Sequence, residues 1–94
     1  MTTEVKASHI LVKTEEEALN IYNEIKKNGL AFSDAASEYS LCPSSYNGGD
    51  LGYFSKGVMV KEFEDAAFNM EVGEISHPVK TQFGWHLIQL TDKK

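Results

Sequence analysis

The sequence predicts a mixed α+β domain in which a small sheet is covered by helices. Helical spacing of apolar residues recurs over three separate segments. Strand-like runs lie near both ends of the chain. Between them Ser40–Phe54 breaks both patterns, holding the lone cysteine, one of the two prolines and three of the seven glycines. Ninety-four residues suffice for one hydrophobic core and not for two, so residues 1–94 read as a single domain.

Val5–Val12 is rich in β-branched residues and alternates loosely, which predicts a strand with Val5, Ala7, His9 and Leu11 on one face. Thr14 followed by Glu15, Glu16 and Glu17 is a capping box, with Thr14 as N-cap and Glu17 reaching back, and the acidic turn suits the positive end of a helix. Ala18, Ile21, Tyr22 and Ile25 form the apolar stripe of that helix, and Lys26-Lys27-Asn28-Gly29 closes it. Phe32, Ala35, Ala36 and Tyr39 repeat the spacing in a second helix. Phe63, Ala66, Ala67 and Met70 repeat it in a third, ended by Gly73. The shared spacing is a helix period and not a sequence repeat.

Between the second and third helices, Asn47-Gly48-Gly49-Asp50 reads as a tight turn feeding a short strand, Leu51–Phe54, with a turn at Ser55-Lys56-Gly57. Val72–His77 reads as loop or extended chain. Pro78–Thr81 suits an edge strand, where the missing proline N–H is tolerated. Gln82-Phe83-Gly84 makes a turn, and Trp85–Thr91 is the last and strongest strand, with His86, Ile88 and Leu90 on one face.

Composition narrows the function. The apolar and charged fractions, 41% and 24%, are those of an ordinary globular domain. A net charge of −5 argues against general binding of nucleic acid, and the absence of arginine removes the usual bidentate anchor for phosphate. No apolar run approaches the ~20 residues of a membrane span. The segment Met1–Lys6 lacks the apolar core of a signal peptide, and one cysteine forms no internal disulfide, so a cytoplasmic setting is expected. Lys26-Lys27 and Lys93-Lys94 make a weak candidate patch for peripheral contact with an anionic membrane. The overall charge favours reading them as solvated ends.

His9 and His86 fall on apolar faces of the two strands expected at the centre. A neutral imidazole has one donor and one acceptor, so two adjacent rings can satisfy each other. Such a pair serves as a structural element of the core or, beyond that, as the floor of a pocket. His77, before Pro78, reads as exposed. Cys42 lies in a polar loop, either as a small semi-buried filler or, with the histidines, as a thiol nucleophile; no local protease signature surrounds it. Leu51, Phe54, Met59 and Phe63 form a second cluster. Each fits a core, yet Met59 in a turn suits an adaptable apolar slot better. No two of Cys42 and the histidines stand at metal-ligand spacing, so no metal is expected.

Taken together, Ser8-His9-Ile10-Leu11, Tyr39-Ser40, Asn47–Phe54, Phe63–Phe68, Val72–Ser76 and Thr81–Ile88 resemble the parvulin-type peptidyl-prolyl cis/trans isomerases, of the minimal single-domain prokaryotic type. The run Gly48–Phe54 with both histidines in order is the specific part. The resemblance implies a parvulin-like fold (FKBP-like superfold), βα3βαβ2, with a four-stranded antiparallel sheet surrounded by helices and a brief extra helix near Pro43–Tyr46. It implies that His9, Cys42 and His86 are the catalytic positions, and that Leu51, Met59 and Phe63 form the proline pocket, lined also by Phe54 and Thr81. No cofactor is implied.

Relatives directed at phosphorylated substrates carry a long basic loop between the first strand and first helix. Here Lys13 and Thr14 alone fill that gap, and three glutamates follow. The implied activity is therefore isomerisation of unphosphorylated Xaa-Pro bonds without a covalent intermediate. The implied partners are proline-containing peptides and unfolded or partly folded proteins, met by a monomer. The alternative is a non-catalytic, chaperone-like module that uses the same slot to hold unfolded chains.

Overall fold

The computed structural model describes residues 2–94. The elements run β1 (Glu4–Val12), α1 (Glu15–Asn28), α2 (Phe32–Tyr39), a 3₁₀ helix (Pro43–Asn47), β2 (Asp50–Ser55), α3 (Lys61–Phe68), β3 (Val79–Thr81) and β4 (Gly84–Lys93). The strands form one antiparallel sheet in the order β2-β1-β4-β3, so the two histidine-bearing strands are its centre. The brief helix implied near Pro43 is present as the 3₁₀ turn. Among the described residues no helix is long and apolar enough to cross a membrane.

Period-two alternation in β1 and β4 supplies both faces of the sheet. On one face Val5, Ala7, Ile88 and Leu90 pack with Phe54 and with Phe63, Ala67 and Met70 of the α3 segment. On the other, Ile10, Val12 and Leu87 pack against Ala18 and Ile21 of α1 and Phe32, Ala35 and Ala36 of α2. β1 is thus buried on both sides, and each fully buried aliphatic side chain contributes about 1.5–3 kcal/mol.

Local chemistry sets the element ends. The Thr14 hydroxyl accepts from the Glu17 N–H at 3.2 Å, while the Glu17 carboxylate accepts from that hydroxyl and not, as the capping box predicts, from the Thr14 backbone. Two helix readings change. Tyr39, expected on the core stripe, is exposed because α2 ends there and the chain turns away toward β1. The third helix stops at Phe68 rather than near Gly73; Met70 keeps its core contact from the turn that follows.

The turn between the 3₁₀ helix and β2 is where backbone freedom matters most. Gly49 has φ +84°, its N–H donates to the Ser44 carbonyl at 2.9 Å, and its own carbonyl accepts from the His9 N–H at 2.9 Å. A Cβ on Gly49 would collide with the His9 carbonyl oxygen and press on the Ala36 side chain. Gly57, by contrast, has φ +92° with open space around it. Gly57→Ala is therefore expected to cost about 1–2 kcal/mol from left-handed strain alone, whereas Gly49→Ala adds a backbone clash and should cost roughly 3 kcal/mol or more. Urea unfolding of both variants measures this, and equal losses would contradict the close approach of the turn to β1.

Candidate active site

The cleft lies where the C-terminal half of β1 meets the Ser40–Pro43 segment on one side and the β2–α3 connection on the other. Ser40 pins the first wall. Its hydroxyl accepts from the N–H of Leu11 at 3.0 Å and from that of Cys42 at 3.3 Å, while the Leu41 N–H donates to the Leu11 carbonyl at 2.8 Å. Cys42 is thereby held over the face of β1 that carries His9. The opposite wall comes from Leu51 on β2, from Val58, Met59 and Val60 in the connection, and from Phe63 in the first turn of α3.

The cavity measures about 470 Å³ and its floor holds His9, Phe63 and His86. The two imidazoles are 6% and 4% exposed and stacked, with their Nδ1 atoms 3.0 Å apart. Phe63 stands nearly perpendicular to both, at 83° and 79°. The hydrogen-bond pattern assigns the protons. The Phe83 N–H donates to Thr81 Oγ1 at 3.2 Å, and the buried Thr81 hydroxyl finds its acceptor in His86 Nε2 at 2.8 Å. His86 then carries its proton on Nδ1 and donates it to Nδ1 of His9. The remaining proton of His9 sits on Nε2, which is buried and unpartnered among the described residues.

Both rings are neutral in this arrangement. Burial, and secondarily the neighbouring His86, lowers the His9 pKa to about 4, and burial lowers that of His86. Cys42 is half-buried and unpaired; among the described residues its sulfur meets neither histidine in a hydrogen bond. A thiol without a base is a polar neighbour rather than an activated nucleophile.

The structure brings together His9, Cys42, Leu51, Met59, Phe63 and His86 around one cavity. Phe54 and Thr81, expected to line it, do not. Phe54 pairs with Val5 across the sheet and lies beneath Phe63, ring centroids 6.0 Å apart, as part of the core that supports the wall. Thr81 lies behind His86 and fixes its tautomer. Sequence reasoning missed Leu41, Val58 and Phe83, apolar rim residues that are 58%, 64% and 62% exposed. Their one signal is an apolar side chain in a loop or turn without periodic partners. His77 is exposed as expected, stacked on Tyr22. Of the terminal lysines, Lys93 faces Glu71 at 3.6 Å and Lys94 sits 4.0 Å from the centroid of the Tyr53 ring.

The frame of the site is thus a four-stranded antiparallel sheet with an apolar cleft over a buried histidine pair. Comparison with known proteins makes this specific: residues 1–94 match the PPIC-type PPIase domain, and the chain belongs to that family, the parvulins. The chain is 54% identical over 91 residues to the foldase protein PrsA of Geobacillus kaustophilus, covering 96% of this chain and 32% of that protein. It therefore spans about a third of the length of the curated relatives it matches. Among solved structures, PrsA of Bacillus anthracis superposes with a TM-score of 0.95 at 46% identity, over 99% of this chain and 43% of that one. The parvulin NmPin of Nitrosopumilus maritimus superposes at 0.86 with 46% identity, over 98% and 99% of the two chains.

The histidine pair makes stability depend on pH. An unfolded histidine takes up its proton near pH 6.5, the folded His9 only near 4, so between these values the unfolded chain binds more protons. The pair's contribution is complete above pH 6.5 and is lost as pH falls toward 4, by roughly 2–3 kcal/mol. Urea unfolding followed by Trp85 fluorescence at pH 7, 6, 5 and 4.5 should show that decline beginning well above the carboxylate range. A stability flat from pH 7 to 5 would contradict it.

Proposed function

We propose that the domain isomerises unphosphorylated Xaa-Pro bonds by a non-covalent mechanism, gripping the prolyl ring between Leu51, Met59 and Phe63 with the preceding carbonyl beside Cys42. The observation that carries the reading is the cleft itself, an apolar socket whose two imidazoles are neutral and bonded to each other, with Cys42 the one further polar side chain on its lining among the described residues. Peptidyl-prolyl isomerisation is the activity of the family.

The reaction rotates an amide whose barrier is about 18–20 kcal/mol because resonance gives the C–N bond double-bond character. The planar amide has a strongly dipolar carbonyl, and water stabilises that dipole. In the twisted state conjugation is lost, the oxygen becomes less polar and the nitrogen pyramidalises. A site that holds the ring and keeps water from the carbonyl disfavours the planar form relative to the twisted one. No bond breaks and no proton must move, so a histidine pair locked in neutral tautomers serves as a rigid floor. The Glu15–Glu17 run directly after β1 supports a preference for unphosphorylated chains, since a phosphate would meet like charge.

The same reading takes the domain as a monomer that engages proline-containing peptides and unfolded or partly folded proteins one at a time. It sets the domain in the cytoplasm, where Cys42 stays a thiol. The exposed rim of Leu41, Val58 and Phe83 also favours a second reading, a chaperone-like holder of unfolded chains without turnover.

A protease-coupled assay on short Ala-Pro and Leu-Pro peptides separates the two. Catalysis is expected, with kcat/KM reduced about 10–30-fold in Met59→Ala, since a methionine wall is lost; binding without acceleration would favour the holder. Placing phosphoserine before proline should lower kcat/KM about tenfold or more, and an unchanged rate would contradict the charge argument. Cys42→Asp is expected to keep activity within about tenfold, because a small polar neighbour suffices. Complete loss in the folded variant would revive a thiol nucleophile.

A further inference from the structure

Of the three side chains set around the prolyl ring, Leu51 is fixed in β2 and Phe63 in α3. Met59 alone lies in the connection between them, outside any strand or helix. Phe63 is 3% exposed and stands edge-on to both imidazoles, so it is not free to move. The width of the socket is therefore set by where the connection carries Met59. Among the described residues Lys56–Met59 make one hydrogen bond, from the Gly57 N–H to Oε1 of Glu64 at 2.6 Å. The Glu64 N–H meanwhile donates to the Val60 carbonyl at 3.0 Å, in the first turn of α3. Glu64 thus holds the connection on either side of Met59.

The geometry points to Glu64 as a positioning residue for the proline socket. The inference rests on the isomerase reading, which sets the ring between Leu51, Met59 and Phe63. The Glu64 side chain closes the segment Gly57–Glu64 into a loop that contains both Met59 and Phe63, and so fixes one wall against the other. Glu64 does not line the cleft and touches no substrate. A carboxylate accepting an amide proton makes a shorter and stronger bond than a neutral pair, and this one is short. The carboxylate is not drawn elsewhere. On α3 Lys61 pairs with Asp65 at 3.2 Å, and Glu64 enters no salt bridge among the described residues.

A weaker tie comes from Lys56, whose Nζ stands 5.5 Å from the centroid of the Phe68 ring. It holds the start of the same turn to the far end of α3. With Glu64 removed, this contact and the partial packing of Met59 on the core are what remain. The connection then samples several positions, and a prolyl ring must order it on binding. That entropy is lost at the binding step and not at the rotation, so it falls on KM rather than kcat.

Glu64→Ala and Glu64→Gln test this, since glutamine keeps an oxygen that can accept from the Gly57 N–H. In a protease-coupled assay on an Ala-Pro peptide, Glu64→Ala is expected to raise KM about fivefold with kcat within about twofold of native. Glu64→Gln should bring KM back to within about twofold. In 15N NMR spectra the Gly57 amide should shift and lose its protection from exchange in Glu64→Ala, and keep both in Glu64→Gln. Glu64→Leu, which keeps the stem and removes the acceptor, serves as the second variant should Glu64→Ala fold poorly. A native KM in a folded variant without the acceptor would overturn the role, as would a loss in Glu64→Gln equal to that in Glu64→Ala, or a fall in kcat alone. Turnover absent from the native domain on every peptide, with proline peptides bound about fivefold more weakly by Glu64→Ala in NMR titration, would instead support the positioning role and overturn the isomerase reading beneath it.

Discussion

The bond between His9 and His86 is the constraint on which the rest of the arrangement depends. Two imidazoles in a low-dielectric core each bring a donor and an acceptor that must be satisfied. Their Nδ1 atoms meet because β1 and β4 lie side by side at the centre of the sheet, in a register that sets Leu11 opposite His86 and His9 opposite Ile88; Thr81 serves the outer nitrogen of His86, and that of His9 is left without a partner among the described residues. The chain of bonds then extends outward through Thr81 to the Phe83 backbone, linking the central strands to the β3–β4 turn. A one-residue slip of β4 would turn His86 toward the α1–α2 side and leave both rings orphaned. The pair thus specifies register as well as forming a floor.

The cleft's wall depends on a second set of contacts, made by the backbone of β1. Along its length the strand bonds β4 on one edge, while on the other it meets β2, then the Gly49 carbonyl, then the Ser40 hydroxyl. The strand that begins as an ordinary ladder partner ends as the anchor of an irregular segment, and that change of partner is what opens the cleft. Had β2 continued alongside Leu11, no room would remain for Cys42. The β1–β2 register shifts between Lys6 and Ser8, pairing resumes at Ser8 with Asp50, and the strands part beyond that pair.

Much of this was legible in the sequence, for reasons that differ by residue. Helix stripes such as Ala18–Ile21 and Phe63–Ala67 report burial directly because periodicity is a local property. The histidine pairing was readable because two polar rings on apolar faces demand a partner. Phe54 and Thr81 were misplaced for the opposite reason. Period two says which face a strand residue occupies but not how deep its neighbours stand. Phe54 shares a face with the cleft yet lies under Phe63. The role of Thr81 depends on a pairing, Val79 with His86 and Thr81 with Gly84, that only the folded sheet defines. Leu41, Val58 and Phe83 carry no period at all, and an exposed apolar residue in a turn is common enough that it signals nothing until its position on the rim is seen.

The contrast between the cleft and the surface around it explains why so small a domain can host this chemistry. The surface is strongly charged, with three glutamates opening α1 and a net charge of −5. Inside, the rings are held below their usual pKa by burial, and the thiol has no base. Hydrolysis needs a free group to accept or deliver a proton, and here the two Nδ1 atoms are bonded to each other and His86 Nε2 to Thr81. For rotation about an amide the requirement is reversed, because the twisted state is less polar than the planar one and every mobile charge near the carbonyl would favour the wrong state. On the proposed mechanism, the neutral rings held by Thr81 and the apolar walls act together as a space in which the planar amide would gain less than it does in water.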